Sequence, residues 1–451
     1  MPVLPVMIIA GALIAAGLQF MPIRALDVVS DQAVPEVVDT LLVKSDPLPA
    51  VTPAPPDLRP VVTHVPQPEH VKSIYMSACV AGTPSFRDQL VQFIQDTEVN
   101  SVVIDIKDAS GTISFPPVEP EWQPAWQAAQ CGARDMREFI ASLHAKGIYV
   151  IGRLSVFQDP LYTVVHPEYA VKTADGSAVW QDYKGISFID VAARPYWDRV
   201  LLLAAESYNV GFDEINFDYI RYPSDGNMDD ISFPVSAASE FGLDKASNLE
   251  AFFAFLGREM RNPEHFAAMN HQSHGRATAT PYFTGDLFGM TTTSYNDLSI
   301  GQVQERALPY FDAIAPMVYP SHYPDNFLGL GDPNEVPYQI VYSAMRAGVE
   351  RAAATTSPID AFTHTRIGTS TPAVFAKDSH GPEHFRTWIQ DFDYGGDYDA
   401  ADVRAQIQAS YDAGVMSWMV WAPSNRYTRA AYLDAASPEV TSLPPVSETA
   451  I

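Results

Sequence analysis

The stretch Gly211-Phe212-Asp213-Glu214-Ile215-Asn216-Phe217-Asp218-Tyr219-Ile220-Arg221-Tyr222-Pro223 restricts the fold more than any other. Read as a strand it alternates, with Ile215 and Phe217 on one face and Glu214, Asn216 and Asp218 on the other. A strand that is polar on one face, yet lies deep inside a large chain, suits a (β/α)8 barrel. There the apolar face packs on outer helices and the last inward residues rise into the mouth. On this reading Asp218 ends the strand and Arg221 begins the loop above it. The competing reading is a half-exposed strand running into an ordinary turn at Pro223-Ser224-Asp225-Gly226.

The rest of the chain favours the barrel. Strands are expected over 71–78, 100–108, 148–154, 277–283, 313–319, 386–392 and 415–421, in addition to the opening stretch. Helices are expected over 85–97, 135–146, 196–208, 246–260 and 403–413, and Gly147 and Gly414 stand where C-terminal glycines belong. Alternating strands and helices over about 350 residues predict a (β/α)8 TIM barrel with long βα loops. Prolines inside the fifth and sixth strands call for bulges or irregular ends.

Residues 1–25 read as a signal peptide or membrane anchor. Val6 to Leu18 is an uncharged apolar run, short against the roughly 20 residues of a comfortable span. Residues 26–70 read as a Pro-rich acidic linker, since 27–70 hold nine prolines, seven acids and two bases. The barrel domain is expected over 71–434, with a disordered tail over 435–451. A leader of this kind puts the domain outside the cytoplasm, either secreted or tethered through residues 1–25. The formal charge of -26 repels phosphate backbones and argues against a nucleic-acid partner. Cys79 and Cys131, the two cysteines, make no zinc site. They either pair in an oxidising compartment or remain two buried thiols.

In this register polar groups gather at strand ends: Asp105, Lys107, Asp108, Arg153, Asn216, Asp218, Arg221, Asp286, Tyr319, Gln390, Asp391 and Trp421. Carboxylates, an arginine and aromatic rings around one concave mouth are what sugar hydrolysis requires. Other chemistries leave no trace. Phosphate-binding glycine loops, nucleophile elbows and zincin spacings are absent from the sequence, the acidic run 225–230 lacks the closing glutamate of a calcium loop, and no cofactor is expected. His265, His271 and His274 are close in sequence without metal-site spacing.

Several stretches resemble a bacterial glycosyl-hydrolase domain family of TIM barrels, first catalogued as a domain of unknown function. They are 102–108, Gly152-Arg153-Leu154-Ser155-Val156-Phe157-Gln158-Asp159-Pro160, 180–185, 211–223, Gly285-Asp286-Leu287-Phe288-Gly289, 388–392 and 420–427. The resemblance covers about residues 71–428, in barrel order. It implies a TIM barrel that hydrolyses glycosidic bonds of an oligo- or polysaccharide. The fourth-strand aspartate is also similar to the nucleophile position of the α-amylase-like clan. That likeness implies Asp218 as nucleophile and, after the fifth strand, Asp286 as acid, where the clan commonly has a glutamate. Asp105, Lys107, Arg153, Asn216, Arg221, Tyr319, Gln390 and Trp421 are then the expected substrate-binding residues.

Each assignment has a structural competitor. Asp218 could cap a helix or pair with Arg221, and Asp286 could be a turn aspartate between Gly285 and Gly289. Asp105 could pair inward with Lys107. Arg153 fits an orienter of Asp105 or Asp218 as well as a sugar ligand. Tyr319 and Trp421 suit the pocket wall or the core. Of Gln390 and Asp391 only one faces the mouth, and register with Trp388 favours Gln390. Beside the hydrolase stand a glycan-binding barrel without turnover and a metal-dependent hydrolase using Asp105, Asp108 and Asp218.

Overall fold

A computed structural model describes residues 62–264 and 280–435. The expected leader, most of the tether, the three neighbouring histidines and all but the first residue of the tail lie outside the described residues. Eight parallel strands close on themselves in the order β1-β11-β10-β6-β5-β4-β3-β2. They are β1 (Lys72–Met76), β2 (Ser101–Lys107), β3 (Tyr149–Ser155), β4 (Glu214–Asp218), β5 (Tyr282–Phe288), β6 (Ala313–Met317), β10 (Thr387–Gln390) and β11 (Trp418–Trp421). Three short antiparallel strands, β7 (Thr356–Ser357), β8 (Thr365–Ile367) and β9 (Val374–Ala376), form a separate sheet between β6 and β10. The barrel is the expected (β/α)8 architecture.

Alternation decides which side chains fill it. Val103, Ile151, Tyr149, Ala315, Trp388 and Met419 form a compact apolar cluster inside, whereas Ile74, Ile104, Leu154, Ile215 and Phe217 join the larger cluster outside the wall. The helices Arg194–Val210, Lys245–Met260, Pro337–Ala353 and Ala400–Asp412 cover that outer face. Gly211, at φ 127°, ends the first of these and turns the chain into β4. Asp399 and Asp402 form a reciprocal capping box at the start of the last.

The floor of the barrel is polar and paired. Arg386 binds Glu214 at 2.5 Å, and Tyr149 and Thr284 donate to the same carboxylate at 3.1 and 2.9 Å. Residues 62–70, the end of the expected tether, make specific contacts below it: the Val65 N–H donates to Asp213 at 2.9 Å, and His64 stacks on Tyr208.

Two sequence expectations change. The fifth strand runs over 282–288 rather than 277–283, so Asp286 lies within a strand and is not a turn residue. Gly285 had the look of a turn glycine, but a Cβ there would approach Phe311 at 3.0 Å and Ile220 at 3.1 Å. It is kept small by close packing across the wall. Pro316 lies inside β6, as expected, and pairs with Leu287 of β5; on its other side β6 meets β10 in register only at Met317–Trp388. A residue without an N–H is tolerated where the ladder is this thin.

Candidate active site

The inward residues at the carboxyl ends of β2, β3, β4 and β5 are Asp105, Arg153, Asn216, Asp218 and Asp286, all nearly inaccessible. Arg153 is the centre of the network. Its Nε and Nη2 donate to Oδ2 of Asp218 at 2.9 and 2.5 Å, and its Nη1 donates to Oδ1 of Asp105 at 2.8 Å. Burial works against the guanidinium's charge, but Asp218 and Asp105 outweigh it and raise its pKa well above the ordinary value. Asp105 is fully occupied, because the Tyr75 hydroxyl donates to its other oxygen at 2.5 Å. Burial raises the Asp105 pKa, and Arg153 opposes that.

Asp218 Oδ1 accepts the backbone N–H of the next residue, Tyr219, at 2.6 Å. Tyr219 itself has a left-handed backbone, φ 51°, a conformation costly for a side chain of this size and kept where the surroundings enforce it. The strained residue adjoins the aspartate on which the sequence argument centred.

Asp286 is held differently. Its Oδ1 accepts from Asn216 Nδ2 and Trp388 Nε1, both at 2.8 Å, while Oδ2 is buried without a hydrogen-bond partner. Gln302 fixes the backbone beneath it, donating to the carbonyls of Asp286 and Ile220 at 3.2 and 3.1 Å. Burial first, and the charge of Asp218 second, push the Asp286 pKa well above the ordinary carboxylate range. Both effects favour the protonated form, and Oδ2 is the oxygen left without a partner. One carboxylate is ion-paired beside a second carboxyl whose pKa is raised, an arrangement suited to splitting acid and nucleophile roles between them.

Aromatic rings enclose these groups. Trp421 stacks on Tyr75 at 4.0 Å, carries Arg153 over its face at 5.0 Å and meets Trp388 edge-on at 5.9 Å. Tyr319 is buried within the fields of Asp286 and Asp218. Gln390 faces inward as expected, its Oε1 accepting from the Ser321 hydroxyl at 2.8 Å and its Nε2 donating to the Phe392 carbonyl at 2.8 Å. Asp391 faces outward, held by Thr428 and Tyr432.

One expected binding residue, Lys107, is not brought to the mouth, and a second, Arg221, makes other contacts than the pairing with Asp218 considered from sequence. Lys107 should have followed Asp105 on the inner face, but the β2–β3 register slips between Asp105 and Lys107, pairing Lys107 with the outward Leu154. Its ammonium is wholly buried, bonded to the carbonyls of Ser155 and Gln158 at 2.8 and 2.7 Å and facing Asp159 at 3.5 Å. Arg221 does not pair with Asp218. It donates to the Tyr222 carbonyl and Ser224 Oγ and lies over the Tyr219 ring at 4.9 Å. The residues that sequence reasoning passed over are Tyr75, Gln302 and, as a partner of Asp286, Trp388. Tyr75 was within reach, since it sits on the inward register of β1.

Among the described residues no group of three or more His, Cys, Asp or Glu side chains is arranged to hold a metal ion. Asp105 and Asp218, two of the oxygen ligands considered from sequence, instead share the Arg153 guanidinium. Cys79 and Cys131 are joined as a disulfide. Among the described residues no helix is long and apolar enough to cross a membrane.

Residues 73–427 match the model of a family described as "Putative glycosyl hydrolase domain". No curated protein matches the chain. Among solved structures, a hypothetical protein from Ruminiclostridium thermocellum ATCC 27405 is 28% identical over 40% of this chain and 90% of its own, with a TM-score of 0.35. The PgaB (BpsB) glycoside hydrolase domain from Bordetella bronchiseptica is 12% identical over 81% of this chain and 99% of its own, TM-score 0.49. A cycloalternan-degrading enzyme from Trueperella pyogenes is 12% identical over 82% of this chain and 46% of its own, TM-score 0.43.

Proposed function

The chain belongs to the glycosyl hydrolase domain family, matched from 73 to 427, and from that membership we propose that it cleaves glycosidic bonds of a polysaccharide or cell-envelope glycan with two carboxyl groups. The observation that carries this reading is the contrast between Asp218, ion-paired with Arg153, and Asp286, whose Oδ2 is buried and free and whose pKa burial and Asp218 push up. In the proposed reaction Asp286 gives its proton to the leaving glycosidic oxygen as the bond to the anomeric carbon breaks. Asp218 attacks that carbon and forms a glycosyl ester. Asp286, now a carboxylate, takes a proton from water, whose oxygen displaces Asp218 and restores both groups. Such a sequence retains the anomeric configuration. Direct attack by water, with Asp218 as base, would invert it.

Arg153 keeps Asp218 in place, Asn216 and Trp388 turn Asp286 so that Oδ2 is the free oxygen, and Trp421 and Tyr319 supply ring surface for a sugar. The Cys79–Cys131 disulfide and the apolar run in residues 6–18 support an extracytoplasmic site, secreted or tethered through residues 1–25.

The test is hydrolysis of a broad glycan panel by wild type and Asp218→Asn, with the anomeric configuration of first products followed by NMR. Product from wild type that disappears in the variant, with binding kept, is the expected result. Binding without turnover in both would instead mark a glycan-binding barrel. Turnover that survives the substitution would mean Asp218 is not the reacting group.

A further inference from the structure

The rings of the mouth continue outward past the carboxyl groups. Tyr319 is buried, with its hydroxyl in the field of Asp286 and Asp218. His322 stands 5.5 Å from Tyr319, edge to face, and Tyr394 follows 5.7 Å beyond His322. Phe392 braces the inner part, 6.0 Å from Tyr319 and 6.5 Å from His322. Accessibility rises along this line, from Tyr319 at 8% to Tyr394 at 62%. The loops after β6 and β10 that carry these rings are tied together by Ser321 donating to Gln390, and the second is stiffened by the Tyr398 N–H bonded to Asp393 at 2.8 Å.

A ring as exposed as Tyr394, at the end of a braced aromatic row, offers apolar area that the described residues leave uncovered. Desolvation where the His322 ring packs lowers its pKa below the ordinary 6.5 against the opposing pull of Asp225, which favours the uncharged ring. At the rim the segment that carries Tyr394 is acidic: Asp393 and Asp397 flank the ring in sequence, and residues 391–399 contain neither Lys nor Arg. A polyanion would be repelled there.

We propose that Tyr319, His322 and Tyr394 form successive sugar subsites for a glycan chain without anionic groups, running from the carboxyl pair to the rim. This deepens the hydrolase reading and rests on it. The chain is then held by several consecutive units, and affinity grows with its length until the unit over Tyr394 is filled.

The experiment uses dimer-to-hexamer series of chitin, chitosan, cellulose and starch oligomers, with oligogalacturonate as the anionic comparison. Binding is measured by calorimetry on the Asp218→Asn protein, and hydrolysis on protein with Asp218 intact, each with and without Tyr394→Ala and Tyr394→Trp. In at least one uncharged or amino-sugar series the affinity is expected to rise with length. Tyr394→Ala should weaken the longest oligomer about three- to tenfold and flatten the rise, while Tyr394→Trp preserves it. A length dependence indifferent to Tyr394, no rise in any series, or oligogalacturonate as the best ligand would overturn the proposal. Length-dependent binding through Tyr394 without turnover by wild type would leave the subsites standing and remove the hydrolase reading. Turnover with a length dependence blind to Tyr394 would do the reverse.

Discussion

Arg153 directs two N–H groups at one oxygen of Asp218, Nε at 2.9 Å and Nη2 at 2.5 Å, while its third contact reaches Asp105 from the same guanidinium. One buried cation thus serves two buried carboxylates on the two strands that flank its own. Removing it leaves both uncompensated, so Arg153→Met should cost about 3–5 kcal/mol of stability in denaturant unfolding. Arg153→Lys keeps a charge but lacks the planar fork that spans both partners. Misplacing Asp218 by about an ångström is worth roughly 10²-fold in rate. Arg153→Lys is expected to show that loss in kcat/KM while remaining folded by circular dichroism. A lysine variant with wild-type kinetics would mean Asp218 is positioned by something else.

Asp286 gives a pH signature with a definite sign. Its pKa is raised in the fold by burial and by Asp218, so the folded protein keeps this proton to higher pH than the unfolded chain, whose carboxyls titrate near ~3.9. The associated stability is fully present below that value and is lost as pH rises through the folded pKa. The proton needed by the leaving group disappears over the same rise. Wild type should therefore show a basic limb in kcat/KM and a decline in unfolding free energy with pH, and Asp286→Asn should remove this group's share of both. General acid catalysis contributes about 10²–10⁴-fold, which is the expected loss in that variant. An unchanged basic limb in Asp286→Asn would assign the acid elsewhere.

What the sequence disclosed depended on how regular each segment was. Val103 and Asp105, and Glu214, Asn216 and Asp218, alternate without interruption, and their strands and inner faces could be read directly. The slip after Asp105 could not, because Ile106-Lys107 continues an apolar-polar pattern that a bulge silently reverses. The fifth strand is expected to run through Pro281 and to end before Gly285, which resembles a breaker; that displaces it and disguises an inward Asp286 as a turn residue. The antiparallel strands after the helix Pro337–Ala353 are two or three residues long, too short to carry a period. Arg153 as an orienter was open from sequence. The Trp388–Asp286 bond joins residues 102 apart and has no local trace.

Lys107 now carries the opposite expectation from the one its sequence position suggested. Its ammonium satisfies the carbonyls of Ser155 and Gln158 and faces buried Asp159, which in turn accepts from Tyr196 Oη at 2.8 Å. Lys107→Ala leaves the Asp159 carboxylate without its cation and opens a cavity, so about 3–5 kcal/mol of stability should be lost. The KM of the protein that remains folded should not move. A raised KM with unchanged stability would return Lys107 to the binding residues.

The disulfide connects the fold to the compartment. Cys79 follows β1 and Cys131 lies 52 residues further on, so the bond closes a loop that contains β2 and Asp105. Restricting a loop of that length in the unfolded chain stabilises the fold by roughly 2–4 kcal/mol. Reduction by a thiol, or Cys79→Ser with Cys131→Ser, should therefore lower the denaturant midpoint, and protein made in a reducing compartment should show the lower value until oxidised. The carboxyl network makes no contact with either sulfur among the bonds that hold it: Asp105 is fixed by Tyr75 and Arg153, and Asp218 by Arg153 and Tyr219. Hydrolysis by the folded reduced protein should accordingly persist at temperatures well below its midpoint. Identical midpoints for oxidised and reduced protein would detach the cysteines from stability and take away the disulfide as an argument for export.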